Sequence, residues 1–277
     1  MKNILVIYHA NCTDGFGSAY AAWKKFGNSA DYLPMAFGDP LPLFHKELSV
    51  FILDFSFSKE IYRQISDQVK SVVLLDHHKH AFSSLKDEHG CFFNLSKSGA
   101  RLSWEYFHPD MQVPRFVTYI EDGDLLKFSL EETKPFYRGI LPIPYEFEHW
   151  QLLEDETYLS QIIEQGKLFE VFFQSQVKQM MYHAKPITLC GKNGLMINST
   201  YMFVNEIGQL LAKQCGTFAL VWFEEKNHIK CSLRSVGDFD VSEIAMHFNG
   251  GGHPQASAFT MKNLDDFSTL IIEQNEQ

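Results

Sequence analysis

The sequence predicts an α/β protein of two domains, the first built on a doubly wound, mainly parallel sheet. Three short apolar runs, at residues 4–8, 50–53 and 72–75, have the continuous apolar character of strands buried on both faces. Helical patterns separate these runs, and strand–helix–strand repetition is typical of a parallel sheet. From Pro186 onward the pattern changes to short strands and turns, which indicates a smaller α/β domain with a cleft between the two.

The helices of the first part are predicted from apolar and small residues at helical spacing. They cover residues 16–23, 59–69 and 100–107, and a further helix directly precedes Glu121. Prolines then interrupt residues 131–150, so we expect a boundary there. The predicted division is a first domain over 1–135, a helical connector over 136–185 and a second domain over 186–277.

The second domain is predicted to begin with a hairpin and to end with a strand and a helix. The hairpin strands cover 187–190 and 195–197, with a turn over 191–194. The elements that follow are a helix over 204–213, strands over 218–223 and 229–233, the run Gly250-Gly251-Gly252-His253, a strand and a final helix.

The composition is that of a folded, acidic protein. Hydrophobic residues make up 45% of the 277 residues and charged residues 21%, which argues against disorder. The formal net charge is −10, and no segment has an excess of Lys and Arg. Because tight binding to long duplex DNA requires many contacts between basic side chains and phosphates, we do not expect that partner. A small phosphorylated ligand held by metal ions is compatible with this charge.

The five cysteines are odd in number and form no C-x-x-C pair. This pattern is typical of a reducing compartment and not of a disulfide framework or a zinc ribbon. The amino-terminal apolar run is too short for a signal peptide, and no run approaches the ~18 apolar residues of a membrane helix. The sequence therefore predicts a cytoplasmic protein that does not bind membranes and leaves its oligomeric state open.

Carboxylates and imidazoles follow all three predicted strands. In chain order these residues are His9, Asp14, Asp54, Asp76, His77 and His78. Because the carboxyl ends of parallel strands face one crevice, we expect the side chains to converge. Each residue alone is equally explained as a helix cap or a structural histidine, but the coincidence at three strand ends favours a metal centre. Imidazole nitrogen with carboxylate oxygen suits Mn²⁺ or Fe²⁺, and Mg²⁺ less well.

A centre with two metal ions needs one carboxylate that reaches both. Asp54 fits this requirement best, because it follows the middle strand of the three. The second site would be completed from the run Asp122-Gly123-Asp124, although this run is also typical of a helix-terminal turn. Such a pair of ions lowers the pKa of a bridging water and stabilises charge on a phosphoryl group.

Taken together, these motifs resemble those of the DHH phosphoesterase superfamily. The matching residues, in order, are His9, Asp14, Gly15, Asp54, Asp76, His77, His78 and Asp122. The run from Gly250 to Ala256 resembles the glycine-rich signature of the DHH-associated carboxy-terminal domain. The resemblance spans nearly the whole chain, so that residues 1–135 would be the catalytic DHH domain and 186–277 the substrate-binding domain. Within the superfamily the chain looks most like the nanoRNase and cyclic-nucleotide phosphodiesterase group.

The resemblance implies a role for each matching residue. His9 would bind one ion and Asp54 both, and the remaining ligands of the second ion would be Asp14, His77 and Asp122. Asp76 would orient a ligand, and His78 would face the substrate phosphate. The residues that match substrate-binding positions of the second domain are Arg234, Gly251, Gly252 and His253. A planar guanidinium binds phosphate through two hydrogen bonds, and glycines let backbone N–H groups approach an anion.

The implied activity is a metal-dependent phosphodiesterase that hydrolyses short oligonucleotides or (cyclic) dinucleotides through a metal-activated hydroxide. The resemblance implies two divalent ions, with Mn²⁺ expected and Fe, Co or Mg as alternatives. A phosphomonoesterase or a pyrophosphatase on the same centre is the alternative among enzymes. A non-catalytic nucleotide-binding module is the alternative outside them.

One position departs from the superfamily pattern. Most members have an aspartate that binds a metal where this chain has Cys12. Cys12 is either a soft thiolate ligand that recruits Fe²⁺ or Zn²⁺ in place of Mn²⁺, or a small filler that leaves the first site weakened or open to water. The sequence leaves both interpretations open.

Overall fold

The computed structural model describes residues 2–225 and 228–267, and the chain divides into two compact units. The first unit ends at Glu170 and the second begins at Val171. No helix within the described ranges is long and apolar enough to cross a membrane. The three-part division into 1–135, 136–185 and 186–277 stays a prediction.

The first unit alternates strands and helices, as the sequence predicts. Its elements are β1 (Ile4–His9), α1 (Thr13–Phe26), β2 (Asp31–Met35), β3 (Ser49–Leu53), α2 (Lys59–Gln68), β4 (Ser71–Asp76), α3 (Lys79–Leu85), β5 (Cys91–Phe93), α4 (Gly99–Phe107), α5 (Arg115–Asp124), α6 (Thr133–Ile140), α7 (Phe147–Gln151) and the start of α8 (Glu156–Met181).

The five strands form one parallel sheet in the order β2-β1-β3-β4-β5. Both of its faces are covered by apolar residues. Along β1, Val6 and Tyr8 belong to one apolar cluster, whereas Leu5 and Ile7 belong to another on the opposite face. This alternation explains why the strand has no polar face, and it confirms the predicted doubly wound α/β class.

The sequence analysis missed the two edge strands of this sheet. β2 contains Pro34 and three half-exposed or exposed neighbours, and β5 is only three residues long. Edge strands carry weak apolar signals because one side of the ladder is unpaired and the side chains are partly solvated. The three central strands, which end at the predicted site residues, were predicted at nearly their observed positions.

The second unit is built on a six-stranded mixed sheet. After α8 its elements are β6 (Lys185–Leu189), β7 (Lys192–Asn198), α9 (Val204–Cys215), β8 (Phe218–Glu225), β9 (His228–Ser235), α10 (Ser242–His247), β10 (Gly251–His253) and β11 (Ala256–Met261). The strand order is β10-β11-β9-β8-β7-β6, with β7 and β8 parallel and the other neighbours antiparallel.

The predicted hairpin is present, but its turn is shorter than expected. Only Cys190 and Gly191 connect β6 to β7, and both have positive φ, at 50° and 72°. Two consecutive left-handed residues are the signature of a tight turn whose twist matches that of the strands. The predicted final helix is helical over residues 264–267, and its remainder lies outside the described residues.

Candidate metal centre

The register of the parallel sheet brings the three acidic strand ends side by side. Tyr8 pairs with Leu53, and Leu53 pairs with Leu75. The next residue along each chain is His9, Asp54 and Asp76, respectively. The three side chains therefore start from adjacent positions at one edge of the sheet.

Asp54 occupies the middle of this edge in a left-handed conformation. Its φ is 52°, its backbone N–H donates to the Leu75 carbonyl at 2.9 Å, and only 1% of the residue is exposed. The two oxygens of its carboxylate have different neighbours. Oδ1 lies 3.1 Å from His77 Nε2, whereas Oδ2 lies 3.6 Å from His9 Nδ1 and 3.8 Å from Cys12 Sγ. Burial would raise the pKa of Asp54, but hydrogen bonds with His77 and His9 lower it.

Asp14 is held by the amino terminus of α4. Its carboxylate accepts the backbone N–H groups of Gly99 at 2.6 Å and Ala100 at 2.9 Å. The positive end of the helix dipole thus faces a carboxylate that is only 1% exposed. Burial and the charges of Asp54 and Asp124 nevertheless raise the pKa of Asp14 well above its usual value. A cation at this position would relieve that repulsion.

Three carboxylates surround one nitrogen of His77. Its Nε2 lies 3.1 Å from Asp54, 3.4 Å from Asp124 and 3.6 Å from Asp14. Burial would lower the pKa of His77, but the hydrogen bond to Asp54 and the charges of Asp124 and Asp14 raise it to about 9. In the absence of an ion, the proton on this imidazole is the positive charge that the carboxylates require.

The acidic run at the end of α5 places Asp124, and not Asp122, beside this group. The Asp122 carboxylate accepts hydrogen bonds from the Ser129 and Leu130 backbone N–H groups and from the Ser129 and Thr133 hydroxyls. These four bonds leave Asp122 no free direction toward His77. Two residues further on, Asp124 lies on the side of the helix that faces the centre. This geometry favours Asp124 over the predicted ligand Asp122, and the choice between them stays a prediction.

Asp76 orients its neighbours. Its Oδ1 accepts the backbone N–H groups of His77 and His78, at 2.7 and 3.2 Å, and also lies 2.7 Å from His78 Nδ1. Its other oxygen accepts the Ser56 hydroxyl. Because Asp76 is fully buried and both of its oxygens have partners, its place is to fix the His77-His78 turn. The His78 side chain is half exposed and carries its second nitrogen away from Asp76.

The donor atoms of this edge fit a pair of divalent ions. Mutually close ligand atoms form three overlapping groups, which come from His9, Cys12 and Asp54, from Asp14, His77 and Asp124, and from Asp54, Asp76, His77 and His78. Asp124 Oδ2 is buried and has no hydrogen-bond partner among the described residues. A buried carboxylate oxygen without a partner is costly, and a bound cation would satisfy it. Asp54, with one oxygen toward His9 and the other toward His77, lies between the first two groups.

Asp54 can occupy this position because Gly99, which lies against it, has no side chain. A Cβ on Gly99 would lie 2.5 Å from Asp54 Cβ and 2.9 Å from its Cγ and Oδ1. We therefore expect Gly99→Ala to displace the Asp54 carboxylate and to weaken metal binding by about 10–100-fold, the range typical of disturbed ligand support. Competition with a chromophoric chelator measures this affinity.

The control for Gly99→Ala is Gly251→Ala, for which only the metal affinity is measured. A Cβ on Gly251 meets no atom within 4 Å, and the residue belongs to the other unit. Metal affinity equal to that of the wild type in Gly99→Ala would show that the contact with Asp54 does not position the carboxylate.

In the second unit, Arg234 and His253 share one face of the sheet. Arg234 pairs with Ala256, and Ala256 pairs with His253 on the next strand. Paired residues on neighbouring strands point to the same face, so small, half-buried Ala256 separates the two basic side chains. The backbone of Gly251 and Gly252 forms β10 beside them, and a Cβ on Gly252 would lie 2.6 Å from the Ala256 carbonyl.

Asn205 on α9 holds the Arg234 guanidinium and was missed by the sequence analysis. Its Oδ1 accepts Arg234 Nη2 at 2.7 Å and Nε at 3.2 Å, and the Leu233 carbonyl accepts Nη1 at 2.7 Å. Of the five guanidinium N–H groups, three are used in these bonds, which leaves two for a ligand. No carboxylate within residues 2–225 and 228–267 forms a salt bridge with Arg234.

Comparisons with known proteins agree with both units. The DHHA1 domain family matches residues 202–277. The uncharacterized protein R106 of Acanthamoeba polyphaga mimivirus is 29% identical over 287 aligned positions, which cover 94% of this chain and 68% of the relative. A solved structure described as the pGpG-specific phosphodiesterase PggH from Vibrio cholerae has a TM-score of 0.54 at 14% identity, and the match covers 99% of each chain. At that identity the likeness establishes the fold.

Proposed function

We propose that this chain is a DHH-superfamily protein with a carboxy-terminal DHHA1 domain and acts as a metal-dependent phosphodiesterase. The observation that carries the proposal is the position of Asp54. It is a buried carboxylate with one oxygen toward His9 and Cys12 and the other toward His77. A carboxylate shared in this way is what a two-metal hydrolytic centre requires.

The ligands would divide into two sets around Asp54. His9, Asp54 and the neighbouring Cys12 would hold one ion. The second ion would be held by Asp14, His77 and Asp124, together with Asp54, whose Oδ1 lies 3.1 Å from His77 Nε2. Two divalent ions at such a centre, Mn²⁺ being our first expectation, activate water and offset negative charge on a phosphate. Gly99 and Ala100 keep the Asp14 carboxylate in place through their backbone N–H groups, so this part of the centre is organised before an ion binds.

His78 would contact the substrate phosphate. The hydrogen bond to Asp76 places a proton on His78 Nδ1, and it raises the pKa of the imidazole. Because the His78 side chain is half exposed, its Nε2 can donate a hydrogen bond to a phosphate oxygen when the ring is protonated. An imidazolium beside a phosphodiester also stabilises the charge that develops during its hydrolysis.

We further propose that the substrates are short oligonucleotides or dinucleotides. The net charge of −10 disfavours a long polyanion, and PggH, which shares the fold, is described as acting on the dinucleotide pGpG. Arg234 and His253 would bind a phosphate or the terminal nucleotide, with backbone N–H groups of Gly251 and Gly252 alongside. The two free N–H groups of Arg234 supply the donors for such a contact.

Replacing Arg234 with Lys is expected to raise KM for a dinucleotide about tenfold with little change in kcat. Lysine keeps the positive charge but loses the planar fork and the two hydrogen bonds to Asn205. Steady-state kinetics on a dinucleotide measures this split. The control is Lys192→Arg, which replaces an exposed lysine on β7 with arginine. A fall in kcat with an unchanged KM would contradict a role for Arg234 in substrate binding.

The experiment that tests the proposed function is product analysis with metal-free protein that has been reloaded with Mn²⁺, Mg²⁺, Fe²⁺ or Co²⁺. The substrates are a linear dinucleotide, a cyclic dinucleotide, a nucleoside monophosphate and pyrophosphate. Mononucleotides released from the linear dinucleotide would support the phosphodiesterase. Release of inorganic phosphate from the last two substrates alone would identify a phosphomonoesterase or a pyrophosphatase. Nucleotide binding without turnover, in any metal, would identify a binding module and contradict the proposal.

A further inference from the structure

The two sides of the Asp54 carboxylate offer chemically different sets of donors. On the Oδ1 side the neighbouring donors are the His77 Nε2, oxygens of Asp14 and Asp124, and, 4.0 Å away, the His78 Nδ1 that also contacts Asp76. On the Oδ2 side they are an imidazole nitrogen, from His9, and the Cys12 sulfur. One side is therefore rich in hard carboxylate oxygens, whereas the other contains a soft sulfur.

The distances on the Oδ2 side fit a single small ion. At bond lengths of about 2.0–2.3 Å and tetrahedral angles, two ligand atoms of a zinc-like ion are separated by about 3.4 Å for N and O and about 3.6 Å for S and O. His9 Nδ1 and Cys12 Sγ lie 3.6 and 3.8 Å from Asp54 Oδ2. The three ligand atoms also all lie within 4.8 Å of one another. The half-buried His9 leaves one side of that position toward solvent.

The surroundings of Cys12 differ from those of a cysteine that fills an apolar core. Cys231 is such a cysteine, fully buried among the apolar residues beneath the second sheet. Cys12 instead lies at the amino-terminal cap position of α1, where its sulfur makes no capping hydrogen bond and is directed toward a buried carboxylate. The thiol donates a hydrogen bond to Asp54 Oδ2 at 3.8 Å, and the same direction brings the sulfur to the carboxylate oxygen that an ion would share with it.

We propose that His9, Cys12 and Asp54 form a thiolate-containing site that binds a borderline-soft divalent ion, such as Zn²⁺ or Fe²⁺, in preference to Mn²⁺ or Mg²⁺. The ion displaces the thiol proton to solvent, and the sulfur binds as thiolate. The carboxylate-rich set of Asp14, His77 and Asp124 keeps the opposite preference. This inference rests on the proposed metal centre and adds that its two positions select different metals.

The test uses the full-length, metal-free protein titrated with Co²⁺, which substitutes for Zn²⁺ and gives an intense near-ultraviolet charge-transfer band when bound to thiolate. The wild type is expected to show this band, saturating at one equivalent per chain. Cys12→Ser is expected to lose the band and to bind Zn²⁺ at least tenfold more weakly, with Mn²⁺ affinity unchanged within about threefold. Serine is a favoured residue at a helix cap, so this variant should fold.

Cys190→Ser is the matched control, since Cys190 is the exposed cysteine most able to bind Co²⁺ adventitiously. It should keep the band. A band that persists in Cys12→Ser, or Co²⁺ binding to the wild type without any band, would overturn the proposal. Turnover of a dinucleotide is measured on the same samples. A Cys12-dependent band in a protein without turnover would leave this inference standing and contradict the proposed function, whereas turnover without the band would do the reverse.

Discussion

Replacing Asp54 with Asn is expected to reduce phosphodiester hydrolysis at least about a thousandfold and to lower the metal content from two ions per chain to one or none. The physical reason is that Asp54 is the residue whose two oxygens face both ligand groups, at 3.1 Å from His77 and 3.6 Å from His9. An amide in its place offers one weaker oxygen donor and turns an N–H group toward the other site. We expect a large loss of activity because this one substitution weakens the binding of both ions.

Metal analysis after dialysis and steady-state kinetics, made on the same protein, check this expectation. Asp31→Asn is the matched control, because Asp31 starts β2 in the same sheet and its side chain is more than half exposed. It should retain two ions and full activity. An Asp54→Asn variant with both ions still bound would contradict the bridging role, whatever its activity.

Asp124→Asn and Asp122→Asn are expected to have different effects, the first on metal binding and activity and the second on stability. Among the described residues Asp124 Oδ2 has no hydrogen-bond partner, and it lies buried 3.4 Å from His77 Nε2, so we expect the loss of this carboxylate to remove the second ion. We expect activity to fall by about a hundredfold or more while the folded protein keeps its stability or gains some, because a repulsive buried charge is gone. Equilibrium dialysis against Mn²⁺ measures the ion.

Asp122→Asn should affect stability and leave metal binding nearly intact. Burial would raise the pKa of Asp122, but hydrogen bonds from Ser129, Thr133 and Leu130 lower it to about 2, from 3.8 in a free carboxyl. A folded-state pKa below the unfolded value means that this contribution is present above about pH 4 and is lost as the pH falls toward 2. A shift of this size corresponds to about 2 kcal/mol of unfolding free energy at neutral pH.

Denaturant unfolding at pH 7 and at pH 2.5 checks the difference between these two variants. The loss caused by Asp122→Asn should shrink at the lower pH, because pH 2.5 lies well below the pKa of the carboxyl in the unfolded chain and close to its pKa in the folded protein, so most of the contribution is gone. If Asp122→Asn removes the second ion and Asp124→Asn does not, the positions of the two residues relative to the centre are the reverse of those described above.

The central part of the first unit follows directly from the sequence. Strands β1, β3 and β4 are buried on both faces, so their apolar runs stand out against the helices around them. Their ends carry His9, Asp54 and Asp76, and the parallel order of the strands makes these residues neighbours. Local pattern and general topology are sufficient for this inference.

The second metal position illustrates what the sequence does not reveal. Asp122 and Asp124 are two residues apart at the end of one helix, and both are acidic. Which of them faces His77 depends on the course of the loop after α5, whose Ser129 and Thr133 hydroxyls bind Asp122. The spacing of the two aspartates does not predict these contacts. A serine and a threonine soon after an acidic helix end are the available signal, and that signal is weak.

The contacts that hold the site residues in place could not be predicted from the sequence pattern either. Gly99 and Ala100 donate to Asp14 across about 85 residues of chain, through the amino terminus of α4, and Gly99 also lies against Asp54. Asn205 reaches Arg234 from a helix in the same way. Such contacts come from tertiary packing, and single-sequence reasoning sees only the small residues at a helix start.

The most direct test of the centre is anomalous diffraction from crystals of the protein loaded with Mn²⁺ and Zn²⁺, measured at both absorption edges. The account predicts two ions about 3.5–4 Å apart, one bound to each oxygen of Asp54, with His9 on one side and His77 on the other. A single ion, or a pair that leaves Asp54 without a bond to both, would contradict it.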